Sequence, residues 1–182
     1  MAEEEYQEAL KIRRSLSKLN PEAFRSDVAM TLHNLAGLHY QTKEYESALV
    51  EYEEALNIYR CLGESNPKAF IPYVAGTLNN LAVLNQKIPV YETALKEFEE
   101  ALKIRRILAE DEPKAFLPAL TEILINLSIY YLQYVPDKAK SVAYAQEARD
   151  ILIPLVKQAP HLQSLLDMAE GLLEDNKAQP GE

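Results

Sequence analysis

Tryptophan is absent from this 182-residue chain, cysteine occurs once, and there are only five glycines and ten prolines. Each shortage excludes something. The lone Cys61 has no partner for an internal disulfide, which points to a reducing compartment. Eight valines and five threonines are too few for a strand-rich fold, and the scarcity of turn-formers favours long helices. No continuous apolar run approaches the roughly 18 residues that cross a bilayer. The opening Met1-Ala2-Glu3-Glu4-Glu5 lacks the apolar segment of a signal peptide. Basic residues number 19 against 28 acidic ones, and the resulting net charge of −9 repels phosphate backbones and anionic headgroups. Neither nucleic acid nor a membrane is expected as a partner, and a soluble cytoplasmic setting is.

What is present is a core and a period. Hydrophobic residues make up 48% of the chain, enough to bury a sizeable interior. Ala9-Leu10, Ala55-Leu56 and Ala101-Leu102 recur in step, as do Pro21, Pro67 and Pro113, and Asn34-Leu35, Asn80-Leu81 and Asn126-Leu127, at an interval of 46 residues. The stretches 6–51 and 52–97 agree at about half their positions. One residue is inserted near Val135-Pro136, after which the register resumes at Ala148 and Pro160.

Each unit holds two helical patterns. Ala48, Leu49, Tyr52, Ala55, Leu56, Tyr59 and Leu62 follow steps of three and four, and Ala29, Leu32, Leu35, Ala36 and His39 form a second stripe ahead of them. Eight helices are predicted, at about 3–19, 24–42, 44–65, 70–87, 90–111, 116–133, 137–158 and 161–175. Asn20-Pro21, Asn66-Pro67 and Glu112-Pro113 are read as turns, Pro72 and Pro118 as helix starts, and Pro154 as the cause of a kink.

The repeat resembles the tetratricopeptide repeat family, in the long form similar to kinesin light chains and many bacterial repeat proteins. The residues that carry the likeness are Leu32 with Leu35-Ala36 and Leu78 with Leu81-Ala82 in first helices, and Ala48-Tyr52-Ala55 and Ala94-Phe98-Ala101 in second helices. The period departs from the family's usual value of about 34. Its aromatic near the end of the first helix is kept at Tyr131 and replaced by His39 and Asn85. The resemblance implies an all-α fold, an α-solenoid of antiparallel helix pairs coiled into a right-handed superhelix. One array is expected over 1–176: an unpaired second helix at 1–20, helix pairs at 21–66, 67–112 and 113–159, and a capping helix at 160–176, followed by a flexible tail at 177–182. The face of the unpaired helix implies one of two things: this chain is the terminal piece of a longer protein, or it covers that face by self-association as a homo-oligomer through the N-terminal helix.

The resemblance further implies a concave groove lined by first helices, whose function is to bind a peptide or helix of a partner protein. The candidate groove residues are Asn34, Asn80, Asn126, His33, Asn79, Tyr40, Gln41 and Lys87, with Met30, Gly37 and Gln86 at neighbouring groove positions. The three recurring asparagines carry a donor and an acceptor each. They can grip an extended backbone, or they can bond neighbouring helices and pin the stacking. The family's carboxylate clamp lacks its basic members here, since His33, Gly37, Asn80, Glu122 and Asn126 stand in those positions. The charged runs Glu3-Glu4-Glu5, Glu53-Glu54, Glu99-Glu100, Arg13-Arg14 and Arg105-Arg106 are read as solvated faces.

No enzyme chemistry is expected. His33, His39 and His161 form no metal-spaced pair, and no phosphate loop, metal motif or activated nucleophile is present. No cofactor or metal is implied. The alternative to a peptide-binding scaffold is a structural repeat module of a larger assembly or multidomain sensor.

Overall fold

A computed structural model describes residues 2–178, and among them every regular element is helical. The elements are α1 (Ala2–Leu19), α2 (Pro21–Thr42), α3 (Tyr45–Ser65), α4 (Pro67–Lys87), α5 (Tyr91–Asp111), α6 (Pro113–Ile129), α7 (Lys138–Val156) and α8 (Gln163–Ala178). A π-helical turn at Tyr130–Tyr134 continues α6, and a 3-10 turn at Pro160–Leu162 leads into α8. The architecture is an all-α repeat. The chain divides into two compact units, Met1–Glu97 and Phe98–Glu182, with the division inside α5. In the first, α1 packs on α2, α2 on α3 and α3 on α4; in the second, α6 packs on α7 and α7 on α8.

The Asn-Pro pairs begin helices rather than mark turns ahead of them. Pro21, Pro67 and Pro113 occupy the first turn of α2, α4 and α6, where a missing amide hydrogen sacrifices no helical bond. The side chains of Asn20 and Asn66 accept from the amides of Ala23 and Ala69, both at 3.3 Å. Glu112 makes no such bond. These helices therefore start about three residues earlier than expected, and Pro72 and Pro118 lie inside them. Pro154 lies inside α7, which ends two residues later. The expected tail also shortens, because Lys177 and Ala178 complete α8, and the rest of it falls outside the described residues.

Small residues set the spacing between helices. Ala29, Ala36, Ala48, Ala55, Ala75 and Ala82 are fully buried in the first unit, and Leu32, Leu35, Leu78 and Leu81 fill the space between. In the second unit Leu124, Leu127, Ala145, Ala148, Leu152 and Ala169 have the same role.

One position shows how the repeat tolerates loss of its aromatic. His39 Nδ1 meets Glu51 Oε2 at 2.7 Å, and Asn85 donates to Glu97 Oε2 at 2.8 Å. At the equivalent place in the second unit Tyr131 stacks on Tyr144, centroids 6.0 Å apart. A buried polar pair thus replaces an aromatic stack between the end of a first helix and the start of the next. Burial by itself would lower the His39 pKa, but the hydrogen bond and charge of Glu51, aided by Glu3, raise it above its ordinary value.

The same region locates the inserted residue. The amides of Glu44 and Val90 donate to the carbonyls five residues back, His39 and Asn85, whereas Asp137 reaches six residues back to Tyr131. The π-helical turn absorbs the extra residue in place, which leaves the following helix in register.

The paired arginines are not merely solvated. Adjacent residues on a helix point about 100° apart, so one of each pair turns inward. Arg13 donates to Thr31 Oγ1 and to the Asp27 carbonyl, and the Arg105 guanidinium lies 5.9 Å from the Phe116 ring centroid. Their outward neighbours tie successive second helices, Arg14 to Glu54 and Arg106 to both carboxylate oxygens of Glu147.

Helix α6 with its π turn, Pro113–Tyr134, contains an 18-residue stretch of mean hydropathy 1.5 and is long and apolar enough to cross a membrane by length and composition. It holds no continuous apolar run of that length, because Thr121, Glu122, Asn126 and Ser128 interrupt it. Half of its most apolar stretch is buried in the protein, as in a core helix: Leu120, Ile123, Leu124 and Leu127 are among its buried side chains.

Candidate functional site

Four helices of the first unit surround a cleft of about 470 Å³. Tyr6 comes from α1, His33, Asn34, Gly37, Leu38 and Gln41 from α2, Tyr52 from α3 and Asn80 from α4. The positions follow from helical spacing: His33, Asn34, Gly37 and Gln41 stand on one side of α2, opposite the Leu32–Leu35–Ala36 stripe that faces the core. Gly37 leaves the floor open beside the Tyr52 hydroxyl, which would lie 3.5 Å from a Cβ built there.

A hydrogen-bond network holds the inner wall. His33 Nδ1 lies 3.0 Å from Thr77 Oγ1, and Asn80 Nδ2 lies 3.3 Å from His33 Nε2 and 3.4 Å from the Tyr52 hydroxyl. An amide NH₂ can only donate, so Nε2 of His33 accepts and the proton sits on Nδ1, facing Thr77. Burial lowers the His33 pKa and keeps the ring neutral. Tyr52 contacts His33 edge-on, with centroids 5.3 Å apart. Burial pushes its pKa up to about 12, against the lowering effect of the Asn80 bond, so the phenol remains protonated. Asn79 adds a long donation, 3.5 Å, to Asn80 Oδ1. The lining is neutral but rich in amide and hydroxyl groups.

The three recurring asparagines stand in different surroundings. Asn34 is exposed at the cleft, Asn80 is half-buried with its NH₂ directed at two partners, and Asn126 is half-buried in the second unit. Gln41 is exposed on the same cleft, while Lys87 is exposed at the end of α4 and is not part of its lining. Tyr40 is half-buried against Tyr45, centroids 5.9 Å apart. Met30 belongs to a separate hollow of about 310 Å³ with Asp27, Tyr59, Phe70 and Tyr73. Gln86 is buried, and its Nε2 has no hydrogen-bond partner.

Tyr6, Leu38, Tyr52 and Thr77 were not among the sequence candidates. Tyr6 and Tyr52 share the repeat position of Phe98, a core aromatic by spacing. Their added hydroxyls were the available signal, since a tyrosine at a site that accepts phenylalanine needs a place for its oxygen.

Residues 28–60 and 74–113 match a model of the tetratricopeptide repeat. No curated protein matches the chain. Among solved structures, the crystal structure of BtubC (BKLC) from P. vanneervenii is similar at 16% identity and a TM-score of 0.44, over 99% of this chain and 92% of that one.

Proposed function

The chain belongs to the tetratricopeptide repeat family, whose repeats generally mediate protein–protein interaction or scaffolding, and from that premise we propose that the cleft of the first unit binds an extended segment of a partner protein. The observation that carries this is the cleft's lining. Asn34 and Gln41 are exposed amides beside a neutral His33–Asn80–Tyr52 wall, a chemistry suited to backbone N–H and C=O groups rather than to a charged ligand. The partner is recognised mainly by its main chain, with side-chain preference contributed by Tyr6 and Leu38. The role is non-enzymatic, in keeping with the family, and a cytoplasmic setting goes with it.

Selection from a displayed library of random peptides, followed by calorimetry on the enriched sequences, tests this. The double variant Asn34→Ala/Gln41→Ala is expected to lose about tenfold or more in affinity, as two hydrogen bonds of about 1 kcal/mol each imply, with no loss of thermal stability. Enriched peptides that bind the variant as tightly as the native chain would remove the cleft from consideration.

A second reading, self-association through α1, is favoured by the exposure of Ile12, Leu16 and Leu19, the last 84% accessible.

A further inference from the structure

Self-association of α1, the second reading above, leaves open how the helices would meet, and the charges on the exposed face of α1 select one arrangement. Residues 4, 5, 8, 11, 12, 15, 16, 18 and 19 are all exposed. By helical spacing they share one broad side of the helix, opposite the buried Leu10 and the inward-turned Arg13. Charge along this side is segregated. The first half carries only acids, Glu4, Glu5 and Glu8; the second carries only bases, Lys11 and Lys18; and Ile12, Leu16 and Leu19 supply the apolar surface.

The helix dipole favours acids first and bases last, yet the repeat-equivalent helices do not follow suit. Helix α3 bears Glu64 in its last turn and α5 bears Glu110 and Asp111, and neither has a basic residue there. The segregation is particular to α1. Glu3, Arg13 and Arg14 are directed within the unit, to His39, Thr31 and Glu54.

We propose that two copies of this chain pair through α1 in antiparallel orientation, about a two-fold axis near Ile12. Such an interface requires a patch complementary to itself under two-fold rotation. Antiparallel pairing brings Lys18 of each α1 opposite the acidic stretch of the other, between Glu5 and Glu8, with Ile12 meeting its counterpart at the centre and Lys11, one residue from the axis, near its own. Parallel pairing lays acids on acids and bases on bases, and so is disfavoured. A contact of one helix per copy falls in the small class, below about 1,200 Å² in total. The dimer therefore forms at high micromolar protein, dissociates on dilution and weakens as salt screens the charges.

Sedimentation equilibrium and cysteine cross-linking on the full chain test this. Ile12→Glu is expected to raise the dimer dissociation constant at least tenfold with an unchanged circular dichroism spectrum, since Ile12 is exposed in the monomer. In a Cys61→Ser background, which removes the exposed native thiol, Ile12→Cys cross-links across the axis. Leu19→Cys does not, because antiparallel α1 helices hold the two copies of position 19 about 20 Å apart, beyond disulfide reach. A native chain that stays monomeric at millimolar concentration overturns self-association and this pairing together. A dimer that cross-links readily through Leu19→Cys keeps self-association and overturns the antiparallel arrangement. A dimer indifferent to Ile12→Glu removes α1 from the interface.

Discussion

Asn34 and Asn80 are one repeat apart and identical in type, yet their replacement by alanine is expected to change stability in opposite directions. Asn80 donates to His33 Nε2 at 3.3 Å and to the Tyr52 hydroxyl at 3.4 Å, both long and part-buried. Bonds of that kind contribute about 0.5–1 kcal/mol each, so the loss is about 1–2 kcal/mol. Alanine returns about 0.5 kcal/mol of helix propensity. The net effect is a loss of about 0.5–1.5 kcal/mol, or roughly 1–6 °C in Tm for a chain of this size. Asn34 is exposed on the cleft, so Asn34→Ala keeps only the propensity gain and raises Tm by about 1–2 °C. Thermal melts followed at 222 nm, with guanidinium titrations to obtain ΔG, measure both. If Asn80→Ala proves as stable as Asn34→Ala, the wall network contributes nothing to the fold, and Asn80 is a ligand group in the manner of Asn34.

Two further outcomes follow from groups outside the cleft. Ser141 is fully buried, donating to the Ser128 carbonyl at 2.9 Å and accepting from Asn176 at 2.9 Å; Ser141→Ala is expected to cost about 1–3 kcal/mol, read by denaturant titration, and a loss under about 0.5 kcal/mol would contradict a structural role. His39 has a folded-state pKa above its ordinary 6.5 because Glu51 and Glu3 outweigh its burial. The burial of Glu51 raises that carboxyl too, despite its cationic partner, so the folded pair holds more protons than the unfolded one. The His39 contribution is present in full below pH 6.5 and is lost as pH rises through the raised value. Chemical denaturation from pH 5.5 to 8.5 should show native stability falling relative to His39→Gln, and parallel curves would refute the pairing.

Much of the fold is readable along the chain. The 46-residue spacing of Ala55, Pro67 and Asn80 with Ala101, Pro113 and Asn126 reports the repeat, and the helical periodicity reports eight helices, because both are local and return with the sequence. Helices start about three residues earlier than the apolar pattern predicts where Asn20-Pro21 and Asn66-Pro67 serve as cap and first turn, since the same dipeptide also suits a turn. The inserted residue near Val135 was visible as a shift of register, but only backbone hydrogen bonding shows that a π turn absorbs it.

The candidate cleft was legible in part, through His33, Asn34, Gln41 and Asn80, which the repeat places on first helices. Identical residues at identical repeat positions were expected to do one job, and tertiary structure separates them. Asn34 stands exposed where Tyr6 and Tyr52 open a cleft, while Asn80 turns both amide hydrogens toward His33 and Tyr52 from helices over 25 residues away. The sequence by itself determined which side of each helix is apolar and how often the pattern returns, because both depend on residues within a few turns of each other. Which polar groups find partners, and which remain for a ligand, was decided only by what the neighbouring helices bring opposite them.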